Sequence, residues 1–310
     1  MAALQRWHKR QPPDQSIASW LDEQQVGEDW RAQFWRPMVL GALNTPLETA
    51  SLRVLCHVLA DGVWASRDAG DFYIAKRNLT DTLAAPVLRY LAQHGAKYRP
   101  NCRIAQVQAA SGKVQADGQT FDAAVFAVAP YHLAPLLPGH LGDAVRQAVQ
   151  QLSYHAITTV YLRYPQPLHL PAALTGFAHR PTQWLLDRGR LQHPNEAAAI
   201  ISTSDLVAES SLHTDGKPDW AATAHQDLLQ LNPHLPPPEA QQTITEKRAT
   251  VASTVNRRLP DMADLNAAHI WLAGDWLHDR YPATLEAAVQ TGERAAQQCL
   301  AALTHISGTR

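Results

Sequence analysis

The stretch "HIWLAGDWLHDRYPATLEAAVQTGERAA", residues 269–296, decides the fold. Its first seven residues read as a strand that ends at Gly274-Asp275, and the apolar run "IWLA" suits a strand covered on both faces. Gly274 lets the backbone approach a neighbour closely. After a short polar loop, "YPATLEAAVQTGERAA" reads as a helix with Pro282 in its first turn. The N–H groups of Ala283, Thr284 and Leu285 would then point forward, where the helix dipole favours negative charge. Ala287, Ala288 and Gly292 keep one side of that helix small. Ligands in open α/β sheets bind beyond the carboxyl ends of strands, which places Asp275 to accept hydrogen bonds from sugar-type hydroxyls. A plain strand–turn–helix with a capping aspartate has the same pattern. Trp276, His278, Asp279 and Arg280 occupy the loop. His278 or Asp279 is a candidate proton donor there, against the plainer reading of a solvated polar loop.

The chain of 310 residues is long enough for one large or two ordinary domains, and its 45% hydrophobic and 18% charged residues describe a globular protein. A formal charge of −1 gives no basic excess for nucleic acid. Cys56, Cys102 and Cys299 form no CxxC pair and read as reduced, buried thiols of a cytosolic protein. The 15 histidines show no ligand spacing, so no metal site is expected. The first residues, "MAALQRWHKRQPPDQ", lack the apolar core of a secretory signal.

Working outward, Ser16 is placed to cap a helix carrying Ile17, Trp20 and Leu21. "WRPMVLGALNTPLETASLRVLCHVLADGVW" reads as two helices broken at "LNTP", with Asn44 or Thr45 capping the second and Pro46 at its first position. Trp35, Pro37, Met38, Leu40, Leu43 and Leu55 form an apolar set; helix core is the commoner meaning of such a stripe, a tunnel for a long hydrocarbon the sharper one. "NLTDTLAAPVLRYLAQHGAKY" is a further helix, closed by Gly95.

The pattern then turns to period two. "KYRPNCRIAQVQAASGKVQADGQTFDAAVFAVAP" holds three or four short strands with turns at "ASGK" and "ADGQ". Its last strand, "AAVFAVAP", is expected to be buried on both faces. "HAITTVYLRY", "AAAIISTS" and "QQTITEKRATVAST" read as strands, residues 218–231 as a helix, and "NPHLPPPEA" as a connection. Lys247 and Arg248 are either surface charges or partners of an anionic cofactor. Similar strands near 97–130 and 269–274, with a mixed segment between them, mark an interrupted domain.

"LAGDWLHDRYPATLEAAVQTGERAA" resembles the C-terminal FAD motif of the amine oxidase and carotenoid desaturase superfamily. "WRPMVLGALNTPLETAS" and "EKRATVAST" resemble its squalene-associated branch, the hydroxysqualene dehydroxylases of bacterial hopanoid synthesis. "GAKYRPNCRIAQVQ…FDAAVFAVAP" resembles the superfamily's middle FAD segment. The resemblance implies a mixed α/β (α+β) fold: an incomplete Rossmann-like FAD/NAD(P)-binding domain interrupted by a substrate domain of sheet and helices. Residues 1–96 would be the helical part of the substrate domain and 97–138 the middle FAD-binding segment. Residues 139–255 would complete the substrate domain, and 256–310 would be the C-terminal FAD-binding segment. Ile104 would contact the adenine end, Ala129 and Pro130 would flank the cofactor, and Gly274, Asp275, Pro282, Ala283, Thr284 and Leu285 would hold FAD.

The family pattern begins with a strand and GxGxxG. None of the 15 glycines here sit at GxG spacing. The expectation is a family member lacking the segment that cradles the pyrophosphate, about a hundred residues on the usual dimensions of that unit. The implied activity is reductive dehydroxylation of hydroxysqualene to squalene by hydride from reduced FAD. A carotenoid desaturase or amine oxidase is the enzyme alternative. The non-enzyme alternative is an inactive fragment, or one that completes its site with a separately encoded FAD-binding piece. The implied substrate is a long-chain isoprenoid. The implied location is the cytoplasm, with peripheral contact at the inner face of the membrane, towards which the nine tryptophans point weakly.

Overall fold

The computed structural model describes residues 1–210 and 218–307. The order of elements follows the change of period in the sequence. An N-terminal helical layer includes Ile17–Glu23, Arg36–Leu43 and Leu52–Val58. Ser16 caps the first of these as expected, its Oγ accepting the Ser19 N–H at 3.1 Å. Leu4, Ile17, Trp20, Leu21, Trp35, Val39, Leu43, Leu52 and Leu55 form the core of this layer. Four of the six tunnel candidates are thereby explained as helix packing: Trp35, Leu43 and Leu55 are buried in it and Met38 packs against it.

The "LNTP" break differs from expectation. Neither Asn44 nor Thr45 caps the next helix; Ser51 does, accepting the Val54 N–H at 3.1 Å. Asn44 instead ends the preceding helix in a left-handed conformation, and its side chain reaches other layers. Its Nδ2 donates to Thr250 Oγ1 at 2.8 Å, and its Oδ1 accepts the Thr203 N–H at 2.9 Å. Thr45 Oγ1 accepts the Ser253 N–H at 3.0 Å. These two residues are recruited by long-range partners, so local capping preference does not apply to them.

Four short strands follow: β1 (Val107–Ala110), β2 (Lys113–Ala116), β3 (Gln119–Phe121) and β4 (Ala124–Phe126). The first three make an antiparallel meander. Its two-residue turns, Ser111-Gly112 and Asp117-Gly118, both have consecutive positive φ values, the geometry that matches the twist of a tight hairpin. Next come β5 (Tyr154–Arg163), β6 (Leu174–Gly176), β7 (Trp184–Asp187), β8 (Glu196–Ser202) and β9 (Ala240–Val251). They form one antiparallel sheet in the order β6-β7-β8-β5-β9. One face, carrying Val160, Leu162, Leu185, Ala199 and Ile201, packs on Ala221, Ala224 and Leu228 of the helix Trp220–Leu229.

Finally β10 (Ile270–Leu272) pairs in parallel with β4, and the helix Leu285–Ser307 covers the pair through Ala295 against Trp271 and Ala273. All three residues of β10 are buried. The expectation for "AAVFAVAP" fails, because Val125 of β4 is 42% exposed. The pair has only two strands, so one side of β4 lacks the cover that parallel sheets normally have. The helix Ala85–Gln93 also has no buried residue, leaving Val87, Leu88 and Leu91 exposed. The thiols divide: Cys56 is buried, and burial pushes it up to about 12, whereas Cys102 is exposed, against expectation. The loop around Cys102 is not covered by any layer.

Stability should follow this division. Leu55→Ala is expected to cost about 2–5 kcal/mol, and Leu91→Ser, on the uncovered helix, within about 0.5 kcal/mol. Urea unfolding of the two variants measures the contrast.

Candidate functional site

Parallel pairing places Ala124 opposite Ile270 and Phe126 opposite Leu272. It continues through the Ala273 N–H donating to the Phe126 carbonyl at 2.9 Å. The chain therefore leaves both strands at the same edge, which brings Ala129-Pro130 and Gly274-Asp275 together where α/β sheets hold ligands. Pro130 is buried and opens a short helix, Pro130–Leu133. Ile104 is elsewhere: the N–H groups of its neighbours Ala105 and Gln106 donate to Asp117 in the β2–β3 turn, which anchors it to the meander.

Gly274 is held by a residue the sequence did not flag. The buried hydroxyl of Thr291 accepts the Gly274 N–H at 3.0 Å and lies 3.0 Å from its carbonyl. A Cβ at Gly274 would stand 2.8 Å from the Trp276 ring, so glycine is required by close approach. Trp276 itself is 3% exposed, and its buried Nε1 lacks a hydrogen-bond partner among the described residues. Asp275 is half-buried, and burial raises its pKa against the opposing Trp276 N–H and Arg257. Arg257 is lowered by its own burial and donates to the carbonyls of Trp276 and His278, at 2.6 Å each.

The helix starts later than expected. Pro282 and Ala283 lie outside it, and Thr284 is the cap, its Oγ1 accepting the Ala287 N–H at 3.2 Å. A threonine hydroxyl satisfies a helix-start donor, which proline at the first position cannot do. The donors facing forward are therefore those of Leu285 and Glu286, the first two helical residues.

The solvated-loop reading also fails for His278, which is 2% exposed. Its Nδ1 accepts the N–H groups of Arg280 (3.1 Å) and Tyr281 (2.9 Å). That fixes the proton on Nε2, which donates to Gln290 Oε1 at 2.9 Å. The ring stacks on Tyr281 at 4.7 Å, and the Tyr281 hydroxyl donates to Asp61 of the helical layer. With both nitrogens engaged in holding the loop, His278 has no proton free for a substrate. Asp279 is on the outside, in a polar pocket of about 320 Å³ shared with His8, Arg53, His57 and Arg280. Burial there lowers His57, against the opposing hydrogen bond to the Arg280 carbonyl. Lys247 lies on the exposed part of β9, while Arg248 reaches over the Tyr131 ring at 4.7 Å.

A second surface adjoins the sheet. The face of β5–β9 opposite the helix Trp220–Leu229 carries two cross-strand rows, Trp184, Ile200, Thr159 and Ile244 in one and Leu174, Leu186, Ala198, Tyr161 and Gln242 in the other. Most are half-buried, and Ile244 is 50% exposed. At one end the helix Arg36–Leu43 meets this face, and a cavity of about 390 Å³ opens there, with Pro37, Leu40, Leu47, Phe177, Pro181 and Leu206 in its wall. Pro37 and Leu40 are thus the two tunnel candidates that border open space.

The architecture, a strand–Gly-Asp–helix closure beside an antiparallel sheet, is that of the amine oxidase fold. The chain matches the family of flavin-containing amine oxidoreductases over residues 4–300 and belongs to it. Within that family it is 29% identical over 276 residues to the hydroxysqualene dehydroxylase of Rhodopseudomonas palustris, covering 86% of this chain and 62% of that protein. The Sinorhizobium fredii hydroxysqualene dehydroxylase is 24% identical over 279 residues, covering 86% and 61%. The chain therefore spans about three fifths of the length of these relatives. Its fold is similar to that of putrescine oxidase bound to putrescine (TM-score 0.67, 17% identity, 92% of this chain and 68% of that one). It is likewise similar to cyclohexylamine oxidase from Brevibacterium oxydans IH-35A (TM-score 0.65, 14% identity, 94% and 68%). The mixed α/β class expected from the sequence holds.

Two measurements test the loop. His278→Ala should leave the Arg280 and Tyr281 N–H donors without their acceptor, at about 1 kcal/mol each, and His278→Asn, whose Oδ1 replaces Nδ1 as acceptor, should recover much of the loss in thermal unfolding. Because the Asp275 carboxyl is raised in the folded chain, its ionisation removes stability as pH rises through that raised value. Asp275→Asn should therefore stabilise the chain at neutral pH, and the gain should vanish below about pH 4, where the unfolded carboxyl is also protonated.

Proposed function

We propose that the chain is the substrate-facing part of a flavin-dependent oxidoreductase that removes a hydroxyl from a long isoprenoid alcohol, with hydroxysqualene as substrate and squalene as product. The observation that carries the reading is the apolar, half-open sheet face of Leu174, Trp184, Leu186, Ala198, Ile200 and Ile244 in a chain that also holds the Gly274-Asp275 turn. An apolar chain gains about 25 cal/mol per Å² of surface removed from water on such a platform.

The residues present fit one part of FAD. The orphaned Trp276 Nε1 would donate to it, the half-buried Asp275 carboxylate would accept from its ribityl or ribose hydroxyls, and the N–H groups of Leu285 and Glu286 would face it. When bound, reduced flavin supplies a hydride, and the substrate hydroxyl leaves with one proton as water. This chain's own part is to orient the alcohol and keep water away. The phosphates need a glycine-rich segment that these 310 residues do not contain. Whether contiguous or separately encoded, that segment belongs to the proposal. The exposed Val125 and the uncovered helix Ala85–Gln93 are the faces it would meet. No helix among the described residues is long and apolar enough to cross a membrane, and an apolar substrate would be collected by peripheral contact at the inner face.

The test is to express the chain alone and with the portion of the Rhodopseudomonas palustris relative that it does not match, add FAD, and record the visible spectrum. Flavin should be retained in the combined preparation, which should convert hydroxysqualene to squalene when reduced. Asp275→Ala should weaken flavin retention about tenfold or more, the usual cost of a lost charge-assisted hydrogen bond. Absence of flavin from both preparations, or oxidation of an amine without any squalene, would overturn the reading.

A further inference from the structure

The open sheet face ends at an indole held between two glycines. Gly176 lies directly across the strand pair from Trp184, and a Cβ on it would stand 3.1 Å from the ring. Gly41 comes from the helix Arg36–Leu43, and a Cβ there would stand 3.0 Å from Trp184 Nε1. Carbon contacts are optimal at about 3.5–4.0 Å, so neither position has room for a side chain while the ring stays where it is. Trp184 heads the cross-strand row that continues through Ile200, Thr159 and Ile244. The ring thus stands at the edge of the sheet, where the platform stops against the helix Arg36–Leu43.

We propose that Trp184 is a specificity-determining residue, an end wall that sets how long an isoprenoid chain the sheet face accepts. This rests on the reading of that face as the surface for an apolar chain. The ring is rigid and contacted from two layers, by Gly176 of β6 and Gly41 of the helix Arg36–Leu43, so it fills the end of the row. Its removal would lengthen the platform by the space of the indole, up to Gly41 and Gly176. A clasped tryptophan also differs from an ordinary core residue in one testable way. Enlarging its neighbours should push the ring over the platform and shorten the accepted chain.

The experiment is a calorimetric titration of geraniol, farnesol and geranylgeraniol into the full chain, for the native protein and for Trp184→Ala, Trp184→Phe and Gly176→Val. Burying an additional isoprene unit should change affinity by about tenfold or more. Trp184→Ala is expected to shift preference by that factor towards the longer alcohols, and Gly176→Val towards the shorter. Trp184→Phe, which keeps a ring in place, should retain the native order. If the native chain binds a prenyl alcohol and the folded variants keep its order of preference, the end-wall inference is overturned while the functional reading stands. If the native chain binds none of the three, both are overturned. Should Trp184→Ala fail to fold, as judged by circular dichroism, the opposite shift in Gly176→Val decides, and its absence overturns the inference.

Discussion

Three residue pairs, Ala124 with Ile270 through Phe126 with Leu272, hold the site together. Their direction matters more than their number. In an antiparallel pair, Ala129-Pro130 and Gly274-Asp275 would leave at opposite ends of the strands. In a parallel pair they leave together, and segments far apart in sequence share one edge. So short a ladder has little strength of its own. It is held by what lies on it: the terminal helix against Trp271 and Ala273 on one side, and Leu133, Leu137 and Leu265 in the cluster that surrounds Ile270 and Leu272 on the other.

The loop after β10 shows what such a site requires of its backbone. A buried loop must satisfy its own peptide groups. Thr291 serves both sides of Gly274, Arg257 takes two carbonyls, and one neutral imidazole takes two N–H groups. The buried side-chain atom left without a partner among the described residues of this loop is the Trp276 indole nitrogen. The Asp275 carboxylate keeps the Trp276 N–H and the charge of Arg257 beside it.

Much of this was legible in the sequence, and what was not has a common cause. Ser16, the two hairpin turns, β5, β8 and β9 of the large sheet and the Gly274-Asp275 turn depend on local preference or periodicity, and these the sequence carries openly; β6 and β7, of three and four residues, are too short to show a period. Asn44 and Thr45 escape a local reading because their partners, Thr250, Thr203 and Ser253, lie 206, 159 and 208 positions away. Pro282 drew the helix start too early, although Thr284 supplies the capping hydroxyl. His278 was taken for a loop residue because the polar letters around it gave no sign that its ring is buried on Tyr281. Thr291 was overlooked, yet it follows the Gly274 turn by about two helical turns beyond Thr284, and a hydroxyl at that spacing was the available signal. Val125 was expected to be buried because an apolar strand implies cover on both faces, and that cover is absent from this stretch of chain.

The clasp of Gly41, Trp184 and Gly176 has an evolutionary consequence. Gly41 is far in sequence from Gly176 and Trp184, yet the three share a single volume, so a change at one alters what the others can be. A larger residue at either glycine displaces the ring at 184 unless that residue shrinks too, and effects at these sites should be strongly non-additive, as for residues competing for one space. Across relatives, the three positions are expected to change together or stay fixed together. A lineage that alters the trio would be recognisable from its sequence as one that has reshaped this end of the sheet.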